Sequence, residues 1–143
     1  MRVLLSGYNG TMGQVLKNYI QDSTDLEIVA GVGRELLEEK FPTYTSYEGL
    51  EKIADVIIDF SHHAGTASLV EYAKRTATKV VIATTGHTAE ELELIDELAT
   101  QVGVVYAGNY SLGVNVLVEL VKKASELLLG YDIEVIEKHH NKK

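Results

Sequence analysis

The chain has 143 residues, the length of one domain with room for a substantial core, and its 45% hydrophobic and 24% charged residues are those of an ordinary globular protein. A formal net charge of −8 argues against general nucleic-acid binding, and no apolar run reaches the roughly eighteen residues that a membrane span needs. With no cysteine, disulfides, thiol nucleophiles and cysteine-ligated zinc are excluded.

The N-terminus enters a short buried strand, "RVLLS" (2–6), without the long apolar core or cleavage site of a signal peptide, so a cytoplasmic location is expected. A glycine turn follows, then a helix from about Thr11 to Gln21. "LEIVAGV" (26–32) reads as a second strand. Residues 34–50 are irregular, with room for short strands, and hold the single proline, Pro42. "DVIIDF" (55–60) is a third strand and leads to a helix ending near Arg75. "KVVIATT" (79–85) is a fourth. Thr88 and Glu91 have the spacing of a capping box and start a helix to about Thr100. "VGVVYA" (102–107) is a fifth strand. Leu117, Leu120, Val121, Ala124 and Leu128 then share one helix face, Gly130 ends that helix, and "YDIEVIEKHH" reads as a sixth strand. Val- and Ile-rich strands alternating with helices give an α/β fold, a parallel sheet covered on both faces.

"GYNGTMG" places Gly7, Gly10 and Gly13 between the first strand and the first helix. Gly7 allows a sharp turn, Gly10 lets a pyrophosphate approach the first helical amides, and Gly13 lets the helix pack close to the sheet. The helix N-terminus supplies oriented N–H donors. A bare glycine pattern is weak evidence, but this one sits in the strand-to-helix context that gives it meaning as a dinucleotide site. Such a site usually carries an acid after strand two to grip the ribose. Here Gly33 stands in that place, followed by Arg34, whose fork suits a 2′-phosphate. A solvated loop arginine is the plain alternative, and Glu35 is a substitute acid. The expectation is that NADPH binds at least as well as NADH.

The ends of the later strands, "DFSHH", "ATTGHT" and "AGNYSLGVN", are small or hydrogen-bonding. Each alone is ordinary loop and cap chemistry. Three on one sheet edge suit a cofactor crevice. His62–His63 and His139–His140 do not suggest a metal, because adjacent strand residues point to opposite faces.

Five stretches, "GYNGTMG", "VIIDFSHHAGT", "VVIATTGHT", "NYSLGVNV" and "IEVIEKHHNKK", resemble the 4-hydroxy-tetrahydrodipicolinate reductase (dihydrodipicolinate reductase) family of lysine and diaminopimelate synthesis, in order and spacing across the chain. The resemblance implies a Rossmann-type doubly wound domain over 1–108. Residues 109–143 would then be the hinge, helix and first strand of a truncated second α+β substrate domain. It places cofactor contacts, for NADPH or NADH, on Gly7, Tyr8, Asn9, Gly10, Thr11 and Met12, on Gly33 and Arg34, on Ala83, Thr84 and Thr85, and on Ala107, Gly108, Asn109 and Tyr110. His139 is implied as the catalytic proton donor or acceptor, His140 as a substrate-binding residue and Lys143 as the proton donor. The implied substrate is a small anionic dicarboxylate, and the full-length enzyme is expected to be a homotetramer.

The chemistry suits those residue types: hydride delivery to a cyclic imine or enamine needs a nearby cation and an acid. Thr11 departs from the family, which often has a basic residue there. The family also continues past the lysine into a "PSGT" stretch that holds substrate carboxylates, so the chain is expected to be an incomplete, inactive fragment. Two other readings are a stand-alone NAD(P)-binding regulatory module and a relative of aspartate or homoserine dehydrogenase. The "EKHHNKK" motif argues against both.

Overall fold

The computed structural model describes residues 1–136. The chain divides into two units, Met1–Gly108 and Asn109–Lys143.

Among the described residues, six strands form one sheet in the first unit: β1 (Arg2–Ser6), β2 (Glu27–Val32), β3 (Thr43–Tyr44), β4 (Val56–Asp59), β5 (Lys79–Ile82) and β6 (Val104–Tyr106). Their order is β3-β2-β1-β4-β5-β6, and every pairing is parallel. The strand order reverses beside β1, because the chain runs outward through β2 and β3 and then returns to start β4 on the other side. A parallel crossover is right-handed, so the two halves must place their helices on opposite faces. This is the doubly wound Rossmann arrangement, and it opens a crevice where β1 and β4 part.

The burial pattern follows from that topology. One face carries Leu4, Ala30, Ile57, Val80 and Ile82, covered by α2 (Thr66–Thr76) through Leu69, Val70 and Ala73 and by α3 (Ala89–Ala99) through Ile95 and Leu98. The other face carries Val3 and Val56, covered by Ile20 of α1 (Thr11–Gln21), with Ile28, Ile58 and Val81 only half-buried around them. Leu4, Leu5 and Ile57 are fully buried in the central strands. Each such side chain contributes about 1.5–3 kcal/mol of hydrophobic stabilisation.

Helix ends are set locally. Thr88 accepts from the Glu91 N–H at 3.3 Å while the Glu91 carboxylate accepts from the Thr88 N–H at 2.8 Å, the capping box that the sequence spacing predicts. α2 closes on Ala77 in the left-handed conformation, at φ 49°.

In the second unit, α4 (Leu112–Leu127) is capped by Ser111, whose hydroxyl accepts from the Val114 N–H. Leu117, Leu120, Val121 and Leu128 are exposed. The strand expected from Tyr131 is absent from its described part: residues 131–136 have no strand pairing. Alternation of Tyr131, Ile133 and Val135 mimics a strand, but a strand exists only where a neighbour takes its backbone hydrogen bonds. None among the described residues does so. The rest of that expected strand lies outside the described residues.

Candidate functional site

The turn after β1 is shaped by its glycines. Gly7 has φ 78°, which a side chain rarely adopts, and a Cβ there would also lie 2.7 Å from the Phe60 carbonyl carbon. Among the described residues Gly10 caps α1 with no side-chain hydrogen bond, and no acid stands in the first turn, so no cap or acid competes for the first helical amides. A Cβ at Gly10 would meet the Gly7 oxygen at 3.3 Å and nothing else within 4 Å. Gly13 serves differently from expectation. Its Cβ would strike the Gly7–Tyr8 backbone, at 2.6 Å from the Tyr8 carbonyl, so it packs α1 onto the turn itself rather than onto the sheet.

A cavity of about 740 Å³ opens at this turn. This is within the range of small-molecule and cofactor pockets. Ser6 to Gly10 form one wall, with Tyr8 excepted. Val32 to Arg34 and Thr45 to Tyr47 form the second, and Phe60 to His62 with Ala64, Gly65 and Ser68 the third. Among the described residues no carboxylate lines it, in a chain of net charge −8, and Arg34 stands at its β2 side. The cavity therefore suits an anion over Gly10 with a longer body extending toward Arg34 and Tyr47.

Tyr8 does not line the cavity. Its side chain is fully buried, its hydroxyl donates to the Glu35 carbonyl at 2.7 Å, and it accepts from the Leu37 N–H at 3.0 Å. Of the expected cofactor contact, only its backbone remains available. The same ring explains why no acid ends β2. A Cβ at Gly33 would lie 2.8 Å from both Tyr8 Cε1 and Asn9 Oδ1, and one at Gly31 would lie 2.8 Å from the Tyr8 ring.

At the ends of β4 and β5, the buried Asp59 carboxylate accepts from Ser61 Oγ at 2.6 Å and from Thr84 Oγ1 at 2.5 Å. Ser61 lines the cavity, so Asp59 ties its wall to the Ala83–Thr85 segment. His63 Nδ1 lies 3.0 and 3.1 Å from the two Glu91 oxygens. The Glu91 carboxyl is held below the usual carboxylate range, chiefly by the Thr88 N–H and further by His63. His62 Nδ1 accepts from the Ala64 N–H at 3.2 Å. Tyr47 is buried in the cavity wall, and burial pushes its pKa up.

The predicted residues thus fall into groups. Gly7, Asn9, Gly10, Gly33 and Arg34 line the cavity, while Thr11 and Met12 are exposed on the first turn of α1. Ala83, Thr84 and Thr85 follow β5 on the same carboxyl edge of the sheet, and Ala107 and Gly108 follow β6. Asn109 and Tyr110 belong to the second unit, where Asn109 Oδ1 accepts from the Ser111 N–H at 3.0 Å. His139, His140 and Lys143 lie outside the described residues. Thr45, Ser46, Tyr47 and Ser68 were not predicted. The "DFSHH" stretch was read as crevice chemistry, and Phe60, Ser61 and His62 do line the cavity.

Residues 1–110 match the family model described as "Dihydrodipicolinate reductase, N-terminus", and residues 113–143 match "Dihydrodipicolinate reductase, C-terminus". The chain belongs to the dihydrodipicolinate reductase family. It is 41% identical over 143 residues to the 4-hydroxy-tetrahydrodipicolinate reductase of Caldanaerobacter subterraneus and 37% identical over 145 residues to that of Clostridium tetani. All of this chain is covered in both comparisons, and it spans 57% of the length of each relative. Among solved structures, the dipicolinate-bound dihydrodipicolinate reductase of Paenisporosarcina sp. TG-14 superposes with a TM-score of 0.73 at 22% identity, over 87% of this chain and 53% of that one. The NADP-bound pyrroline carboxylate reductase of Plasmodium falciparum superposes with a TM-score of 0.50 at 17% identity, over 72% of this chain and 38% of that one. Both superpositions reflect the shared fold. Among the described residues no helix is long and apolar enough to cross a membrane.

Proposed function

We propose that the first unit binds NADPH or NADH and that the protein to which this chain belongs reduces 4-hydroxy-tetrahydrodipicolinate in diaminopimelate and lysine synthesis. The observation that carries the reading is the cavity at the α1 N-terminus, free of carboxylates, in a chain of this family. The first amides of α1 would hold the pyrophosphate, with Gly10 leaving room for it. The adenosine end would lie along Gly33–Arg34 and Thr45–Tyr47, where Arg34 meets a 2′-phosphate in NADPH. Asp59 would hold the Thr84 and Ser61 hydroxyls, and with them the 83–85 segment, at the nicotinamide end.

Bound NAD(P)H supplies the hydride. His139 and Lys143 are proposed to stabilise charge and deliver the proton, and His140 to bind a substrate carboxylate. Support for a dicarboxylate comes from the motif "EKHHNKK" and from a family member solved with dipicolinate bound. A cytoplasmic, homotetrameric full-length enzyme completes the proposal on the strength of the family resemblance, and sedimentation of that enzyme tests the assembly.

Fluorescence titration with NADPH and NADH tests the site. Both should bind, and Gly10→Val should abolish binding by filling the pyrophosphate position. Unchanged affinity in that variant would refute the assignment. In a chain extended to the length of the relatives, NADPH oxidation with substrate generated in situ should be lost in His139→Gln. Binding without such turnover would favour a regulatory NAD(P)-binding module.

A further inference from the structure

Arg34 stands on a segment with no regular structure. Between β2 and β3, residues 34–38 are exposed and unpaired in the sheet, the setting in which a side chain is poorly placed. Yet the backbone on either side of Arg34 is held: the Gly33 N–H donates to the Tyr44 carbonyl at 3.0 Å, and Tyr8 touches both sides. Gly33 lies against the Tyr8 ring and Asn9 so closely that no Cβ fits. One residue beyond Arg34, the Glu35 carbonyl accepts from the Tyr8 hydroxyl, and two residues further the Leu37 N–H donates to that hydroxyl oxygen. The phenol is thereby satisfied as donor and acceptor with no exposure to water.

The rest of the loop is drawn to the same anchor. Phe41 packs edge-on to the Tyr8 ring with centroids 6.1 Å apart. Lys17 of α1 pairs with Glu39 and lies 5.8 Å from the Tyr8 ring centroid. Thr43 Oγ1 donates to the Leu37 carbonyl at 3.0 Å. Residue 8 thus does two things for the adenosine end of the cavity. Its ring forbids the side chain that would grip a ribose diol, and its hydroxyl fixes the loop that presents a cation.

We propose that Tyr8 is a specificity-determining positioning residue, which holds Arg34 where it favours a dinucleotide carrying a 2′-phosphate over one carrying a free 2′-hydroxyl. The inference rests on the cavity being an NAD(P)H site. Tyr8 acts through Arg34 and does not itself touch the ligand through its side chain. Pre-placing the guanidinium reduces the ordering cost when a phosphate binds.

Tyr8→Phe keeps the ring, its packing and the exclusion of a Cβ at residue 33, and it removes both loop hydrogen bonds. Titrations with NADPH and with NADH should show NADPH binding about three- to tenfold weaker and NADH within about twofold of wild type. In an Arg34→Ala background the same change should shift NADPH binding by less than about twofold, because the group being positioned is gone. Thr43→Val gives a second route if Tyr8→Phe unfolds: it releases the Leu37 carbonyl at a residue outside the cavity wall and should give an NADPH-selective loss in the same direction. A purely structural role would instead lower both affinities together, and that result would overturn the proposal. So would a selective loss that persists without Arg34, or an unchanged cofactor ratio. A wild-type chain that binds neither cofactor would overturn the cavity reading itself, and the inference with it.

Discussion

Gly13→Ala sets two principles against each other. By helix propensity alone, alanine for glycine inside a helix stabilises by about 1 kcal/mol. The structure says otherwise. The new methyl would sit 2.6 Å from both the Tyr8 carbonyl carbon and its oxygen, where about 3.5 Å is the near limit of comfortable contact. The atoms it meets are backbone in the turn that Gly7 makes, so they cannot rotate aside. The first turn of α1 must retreat by about 1 Å. Overpacking of this kind costs about 1–3 kcal/mol, and here the upper half applies. After the propensity gain, a net loss of about 1–2 kcal/mol remains, which lowers the melting temperature by roughly 4–12 °C for a unit of this size. Thermal unfolding followed by circular dichroism measures it. The same retreat carries the α1 amides away from the cavity, so NADPH affinity should fall by at least about tenfold in parallel. A melting temperature that rises, as propensity alone requires, would show that the close approach at Gly13 is not a constraint.

Three further outcomes follow from particular contacts. The Asp55 carboxyl is lowered to about 2 by hydrogen bonds from the Arg2 side chain and backbone, so its contribution to stability is present above its unfolded value of 3.8 and is lost as pH falls toward 2. The stability gap between wild type and Asp55→Asn, measured by urea titration, should therefore be constant from neutrality to about pH 5 and close by about pH 2. Thr84→Val leaves Asp59 Oδ2 buried without its donor and should cost about 2–3 kcal/mol in denaturant unfolding, whereas loss of only a surface contact would cost under ~0.5 kcal/mol. Ala77→Gly relieves a left-handed alanine and should raise stability by about 0.5–1 kcal/mol, readable as a higher melting temperature.

What the sequence disclosed was what is local. The turn glycines and the Thr88–Glu91 box act through neighbours within a few residues, and their spacing carries them. The strand runs around Leu4, Ile57 and Val80 are apolar on both faces, so the parallel sheet was readable before its order was. β3 was not, because two residues have no period. The cavity wall it carries into, Thr45 to Tyr47, therefore lay in a stretch that looked irregular. The inward direction of the Tyr8 side chain was hidden for a related reason. Its place in the glycine turn suggested a ligand contact, while its direction is decided by Gly31 and Gly33, more than twenty residues later. The apolar alternation at 131–135 failed in the opposite way, since a pattern can propose a strand but cannot supply its partner.

The position of β1 bears on how the chain is born. It is made before both of its neighbours and lies inside the sheet, with β2 on one side and β4 on the other. Arg2 and its partner Asp55 are 53 residues apart in sequence. At roughly 5–20 residues per second, a ribosome takes about 3–11 s to cover that interval. Through that time Val3, Leu4 and Leu5, all buried in the finished fold, have at most one flank covered. Parallel pairing across such distances is slow even once the chain is released. The nascent β1 is thus an apolar strand waiting for its second neighbour well before it becomes the floor of the crevice.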